Sequence, residues 1–345
     1  MSALAYDAVL VLSFGGPEGP DDVMPFLENV TAGRGVPAAR LAEVAAHYAR
    51  FGGVSPINAA NRALVAALEA HLAASGPPLP VYWGNRNWHP LIGDTMQRMA
   101  DDGVRRAVCF VTSAYSGYSA CRQYLEDITR ARAAVGTAAP EVDKLRPYFD
   151  HPGFVEPFVE ATTAAIDSLD AAVRDGATLV FSAHSVPLAQ AASSDYVVQL
   201  EEAARLVAER VVGAGRGHAL VWQSRSGPPQ VPWLEPDVSD HLRSLRARGA
   251  PAAVIVPIGF VADHLEVVWD LDIEALGTAR DLGLPAARAS TPGTHPAFVA
   301  MIAELISERL DPSAPRRGLG RLPARPADCA AGCCPPPVRP GAATA

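Results

Sequence analysis

Lysine is almost missing from this chain: Lys144 is the only one, and the remaining positive charge is arginine. Acidic side chains outnumber basic ones by 37 to 29, for a formal charge of -8. That sign of charge argues against a general nucleic-acid or anionic-membrane binder, which needs a basic face, and any anionic ligand must be met locally. Long apolar runs are lacking as well, none approaching the roughly 18 residues that cross a bilayer. The segment from Met1 to Asp7 has neither the basic nor the apolar region of a signal peptide. A cytoplasmic protein without a transmembrane segment is therefore expected. Cysteines number only five, and in a reducing compartment they read as thiols or metal ligands rather than disulfides. The spaced-glycine fingerprint of a dinucleotide site is also missing. Phe14-Gly15-Gly16-Pro17-Glu18 has paired glycines instead, which allow a tight turn or a close ligand approach.

What is present is an alternation. The 345 residues, 49% of them hydrophobic, suffice for two domains of ordinary size. Apolar runs at 8–13, 80–84 and 106–112 predict buried strands, separated by helical patterns near 21–30, 61–74 and 94–101. The same rhythm, without sequence identity, restarts with a helix at 154–173. Strands at 177–181, 219–222 and 252–258 follow, with helices at 194–212 and 238–248 and a closing helix at 296–310. The pattern predicts an α/β protein of parallel sheets flanked by helices, with domains at 1–150 and 151–310. Residues 311–345 turn Pro-, Arg- and Gly-rich and lose periodicity, as expected of a tail that cannot bury its own core.

Four places carry chemistry. His184, in Ser182-Ala183-His184-Ser185-Val186-Pro187, stands just after a predicted strand, where open α/β sheets bind their ligands. It is either a reactive group or a histidine that only satisfies neighbouring backbone. Glu266, Asp270 and Glu274 recur every four residues with no opposite charge at that spacing. They form either an acidic surface stripe or a row of oxygen ligands for a hard divalent cation. The segment from Trp222 to Trp233, rich in proline, makes a stiff wall suited to a large flat ligand or to loop packing. Cys109 reads as a core residue, whereas Cys121, Cys329, Cys333 and Cys334 offer four soft ligands for a 2Fe-2S cluster or tetrahedral zinc.

Taken together, Ser182 to Pro187, Trp222 to Trp233 and Pro257 to Asp272 resemble the ferrochelatase family. The likeness extends to Ser13-Phe14-Gly15-Gly16-Pro17 and Arg50-Phe51-Gly52-Gly53-Val54-Ser55-Pro56, and is strongest to the actinobacterial branch. The resemblance implies two Rossmann-like domains with a porphyrin cleft between them, and insertion of Fe2+ into coproporphyrin III to give coproheme. It implies that His184 and Glu266 are the central pair, His184 taking the pyrrole protons, and that the metal passes His184, Glu266, Asp270 and Glu274. Phe14 lies where some members carry Tyr or Met, so a phenyl ring here supplies no metal ligand. Tyr118-Ser119-Ala120-Cys121 and the tail trio Cys329, Cys333 and Cys334 match the cluster-bearing members, so a 2Fe-2S cluster is expected; the adjacent Cys333-Cys334 pair departs from their pattern. Tyr48, Arg50, Ser55 and Asn58 are the expected propionate contacts, and Trp222 a substrate contact. Residue chemistry agrees, since imidazole is a base that is neutral near pH 7 and carboxylates can replace the waters of ferrous iron. The expected partners are porphyrin and ferrous iron, with downstream enzymes of haem synthesis, and a monomer is expected. Protoporphyrin IX as substrate, and a non-catalytic tetrapyrrole or metal binding protein, are the competing readings.

Overall fold

A computed structural model describes residues 6–336 apart from 34, 215, 216, 228, 229, 312, 324, 327 and 331. Every residue of β1 (Ala8–Ser13) is buried, which is why its run is continuously apolar: a central parallel strand is covered on both faces. β2 (Val81–Asn85) lies on one side of it, β3 (Arg106–Val111) on the other, and β4 (Glu141–Lys144) outside β3, all parallel. The second half repeats the order. β5 (Thr178–His184) is flanked by β6 (His218–Gln223) and β7 (Ala253–Val256), and β8 (Ala286–Arg288) forms the edge beyond β7. In both sheets the chain changes winding direction beside the first strand, which opens a crevice at the carboxyl ends of β1 and β3 and of β5 and β7.

The halves share one apolar core. Val9, Val11 and Phe110 of the first sheet and Phe181, Val254 and Val256 of the second belong to the same buried cluster. The closing helix, Pro296–Leu310, crosses back from the second half to pack on both Pro152–Asp167 and Ile57–Ser75. Phe298 on that helix is fully buried and meets Phe110 and Tyr148 edge-on, each at 6.1 Å. Phe298→Ala should cost about 3 to 5 kcal/mol, read as a lower urea midpoint with both halves still unfolding in one transition.

The tail from Asp311 onward leans on the rest of the molecule. It forms no helix or strand among its described residues, yet Leu319 and Leu322 pack on the main core. Arg317 grips Glu304 with both contacts at 2.9 Å, Leu319 N–H donates to the Asp150 carbonyl at 2.9 Å, and Arg325 meets Asp195 at 2.6 Å. The tail borrows a core that it could not build. Among the described residues no helix is long and apolar enough to cross a membrane.

Candidate active site

The end of β5 is held from several sides. Gly259, in the turn after β7, donates its N–H to the Ser182 carbonyl at 3.1 Å. A Cβ at 259 would stand 2.7 Å from that of Ala183, so this close approach requires glycine. Tyr196 Oη donates to the His184 carbonyl at 3.0 Å, and Ser185 N–H to the Gln223 carbonyl at 2.8 Å. The imidazole itself has Nδ1 2.5 Å from the Ser185 carbonyl. A carbonyl only accepts, so Nδ1 carries the proton and Nε2 keeps its lone pair. That Nε2 lies 3.8 Å from Glu266 Oε2, with the two side chains 35% and 55% exposed. A base with an open lone pair faces a carboxylate across the crevice.

Glu266 stands in the first turn of a helix that starts at Leu265 and becomes a π-helix over Val268–Ala275. π segments are rare and cluster at functional sites. His264 caps this helix and is half-buried; burial lowers its pKa, opposed by Glu266 and aided by His184. Asp270 is half-buried behind Glu266 and accepts hydrogen bonds from Ser224 Oγ and, at 3.3 Å, from Gln223 Nε2. Burial pushes Asp270 up to about 7, the Ser224 bond opposing and Glu266 and Glu274 adding. Glu274 is exposed and accepts from Trp269 Nε1 at 2.7 Å. The three carboxylates thus meet neutral donors and one imidazole rather than lysine or arginine. A proton competes with any cation at Asp270 below about pH 7. Affinity for a divalent cation should therefore rise as pH passes upward through neutrality, and Asp270→Asn should remove that step while weakening binding about ten-fold, measured as the dissociation constant of Fe2+ against pH.

Sequence reasoning missed the residues that shape this row. Ser224, directly after β6, adopts φ +60°, a left-handed conformation uncommon for serine, and this aims its hydroxyl at Asp270. Arg288 bridges Asp263 and Asp272, at 3.0 and 2.5 Å, tying the turn before the helix to the helix itself. A polar pair at the carboxyl end of β6 was the one available signal.

The expected substrate contacts divide. Phe14 is 38% exposed and rests edge-on against Phe26 at 6.3 Å, and Arg50 is exposed with its guanidinium 5.3 Å from the Trp269 ring centroid. Tyr48 is buried against Phe26 at 6.1 Å, with its hydroxyl pKa raised by burial and by Glu266. Trp222, Ser55 and Asn58 are buried. Trp222 is 4% exposed and packs on Tyr196, because its strand position beside Ala183 faces the core. Asn58 donates to the Gly16 and His89 carbonyls and accepts from Asn85, and Ser55 is enclosed against Gly16. These two tie together the loops that carry Gly16 and His89. Of the anticipated wall, Trp233 lies against Gly227, where a Cβ would stand 2.3 Å from the indole; Pro228 and Pro229 lie outside the described residues.

Cys109 is buried in β3 as expected. Cys121, 4% exposed, sits in a single π turn, Tyr118–Arg122, and the tail reaches it. A hydrogen bond with Cys121 lowers Cys329 to about 7, and the same bond and burial raise Cys121. Cys333 and Cys334 have their sulfurs 3.6 Å apart, with Gly332 and Cys334 at positive φ, and Cys334 is pushed up to about 12 by burial and Cys333. Among the described residues no three His, Cys, Asp or Glu side chains converge as a ready-made metal site. The four thiols approach instead as two neighbouring pairs.

His184 and Glu266 stand at the carboxyl end of the second sheet, and the two parallel sheets have the fold of chelatases of known structure. The sirohydrochlorin chelatase SirB of Bacillus subtilis subspecies spizizenii, in complex with cobalt, covers 87% of this chain and 94% of its own at a TM-score of 0.51 and 13% identity. SirB of Bacillus subtilis with Fe3+ covers 88% and 96% at a TM-score of 0.54, also at 13% identity. The sequence matches the ferrochelatase family over residues 6–310, and the chain belongs to that family. A Nocardia farcinica (strain IFM 10152) protein named coproporphyrin III ferrochelatase is 58% identical, covering 99% of both chains. A Mycolicibacterium smegmatis (strain ATCC 700084 / mc(2)155) protein of the same name is 56% identical over 93% of this chain and 94% of its own.

Proposed function

We propose that this protein inserts Fe2+ into coproporphyrin III, releasing two protons and giving coproheme. The observation that carries the reading is His184 Nε2 opposite Glu266 Oε2 at 3.8 Å, with Asp270 and Glu274 behind. His184 takes a pyrrole proton on Nε2 while its Nδ1–H stays on the Ser185 carbonyl. Glu266 stabilises the imidazolium that forms, and it accepts iron as the metal sheds water. Asp270 and Glu274 hand iron and protons along the row. Phe14 offers a ring to the flat face of the macrocycle, and Arg50 a charge to a propionate. The names of the relatives support coproporphyrin as the substrate, and the reading is of a cytoplasmic monomer whose product passes to downstream enzymes of haem synthesis.

An anaerobic assay with Fe2+ and equal coproporphyrin III and protoporphyrin IX should show coproporphyrin metallated first. Faster turnover of protoporphyrin IX would replace the substrate, and binding without metallation would make this a tetrapyrrole carrier. Arg50→Ala should raise the coproporphyrin KM about ten-fold, the loss of one charge-assisted hydrogen bond, with kcat little changed.

The proposal includes a 2Fe-2S cluster on Cys121, Cys329, Cys333 and Cys334. Such a cluster takes four thiolates, two at each iron, and the pairwise approach of these sulfurs suits it better than a mononuclear site. The lowered Cys329 is the thiol readiest to ligate. The cluster would supply a one-electron centre and a cross-link between the tail and the Tyr118–Arg122 turn. Visible absorption with iron and sulfide analysis of anaerobically purified protein tests it, and a colourless preparation made with iron would remove the cluster from the reading.

A further inference from the structure

The helix that begins at Leu265 carries two parallel stripes. Glu266, Asp270 and Glu274 form one, and Leu265 and Trp269, each one position earlier, form the other. Leu265 is 3% exposed and lies in an apolar cluster with Val23, Phe26, Leu41 and Tyr48 of the first half. Trp269 crosses the same boundary. Its indole stacks on the imidazole of His47 with ring centroids 3.7 Å apart and 6° between planes, and Phe51 meets it edge-on at 6.4 Å. The guanidinium of Arg50 lies 5.3 Å from the same ring. Its Nε1–H donates to Glu274 Oε1 at 2.7 Å. One side chain is therefore clasped by the first half while it holds the outermost carboxylate of the second.

We propose that Trp269 is a positioning residue for iron delivery: stacked on His47 and bonded to Glu274, it fixes the carboxylate row relative to the cleft. The inference rests on the acidic row as the path of iron. A π-helix is rare and frequently marks a functional site, and the groups that orient a metal ligand typically govern metal affinity by about 10- to 100-fold. The stack ties the π segment to the first half, and the indole N–H orients the ligand.

Steady-state kinetics of the full chain, varying Fe2+ and porphyrin separately, with porphyrin Kd from fluorescence quenching, test the assignment. Trp269→Ala should raise the iron KM about ten-fold and raise the porphyrin Kd much less, through the lost ring under Arg50. Trp269→Phe, which keeps a ring for His47 but loses the N–H, should raise it less, and adding Glu274→Gln to Trp269→Phe should raise it no further than Glu274→Gln alone. His47→Ala, on the facing half, should raise the iron KM in the same direction, and it carries the test should Trp269→Ala not fold. An unchanged iron KM in the Trp269 and His47 variants, with Glu274→Gln raising it, overturns the inference. Equal losses of iron and porphyrin affinity overturn it as well. If Glu274→Gln itself leaves the iron KM unchanged, the iron path falls and this inference with it.

Discussion

His184→Ala is expected to lower metallation about a thousand-fold, the loss of a positioned general base, while porphyrin still binds with near-normal affinity. Iron insertion cannot finish until two pyrrole protons have left, and Nε2 of His184 is the open lone pair at this end of β5. Alanine leaves water as the acceptor, a far poorer base near neutrality. The backbone should not move, because the Tyr196 and Ser185 bonds at this strand end are made by main-chain groups of the strand rather than by the imidazole. Single-turnover metallation beside fluorescence quenching separates the two quantities. Near-normal turnover would assign proton removal elsewhere, with His264, on which the charge of His184 acts, as the next candidate.

Glu266→Gln is expected to lower turnover about a hundred-fold, within the range for a positioned acid or base group. The amide keeps the shape and removes the charge. It can no longer stabilise an imidazolium 3.8 Å away, and it is a weaker ligand for a hard cation. Glu266 is the more exposed partner, so its replacement should leave the melting temperature within a degree or so of the parent, given how little exposed substitutions usually cost. A fall in porphyrin affinity as large as the fall in turnover would move Glu266 from iron chemistry to substrate binding.

The strands were legible because burial on both faces writes itself into composition. β1 and β5 read as apolar runs, and their ends pointed to His184 before any fold was known. The four-residue spacing of Glu266, Asp270 and Glu274 was legible for a similar reason, since three like charges along one helix face are costly unless something compensates them. The burial of Trp222 was not legible because its side chain faces whichever way the strand register dictates, and register is a property of the sheet. The partners of Asn58 were not legible because a polar residue near a loop says nothing about which carbonyls the folded chain leaves without donors. Where the tail rests was not legible, because Leu319 and Leu322 pack on a surface supplied by distant residues.

By itself, then, the sequence determined the two-fold alternation of strands and helices, the histidine at the end of β5 and the acidic helix. These are local patterns, carried by side-chain period and residue chemistry within short windows. Only the tertiary structure decided that Nε2 meets Glu266, that Ser224 turns its hydroxyl on Asp270, that Trp269 reaches His47, and that the tail carries its cysteines to Cys121. Each of these joins residues far apart in the chain, and such contacts depend on how packed layers meet rather than on what any one segment prefers.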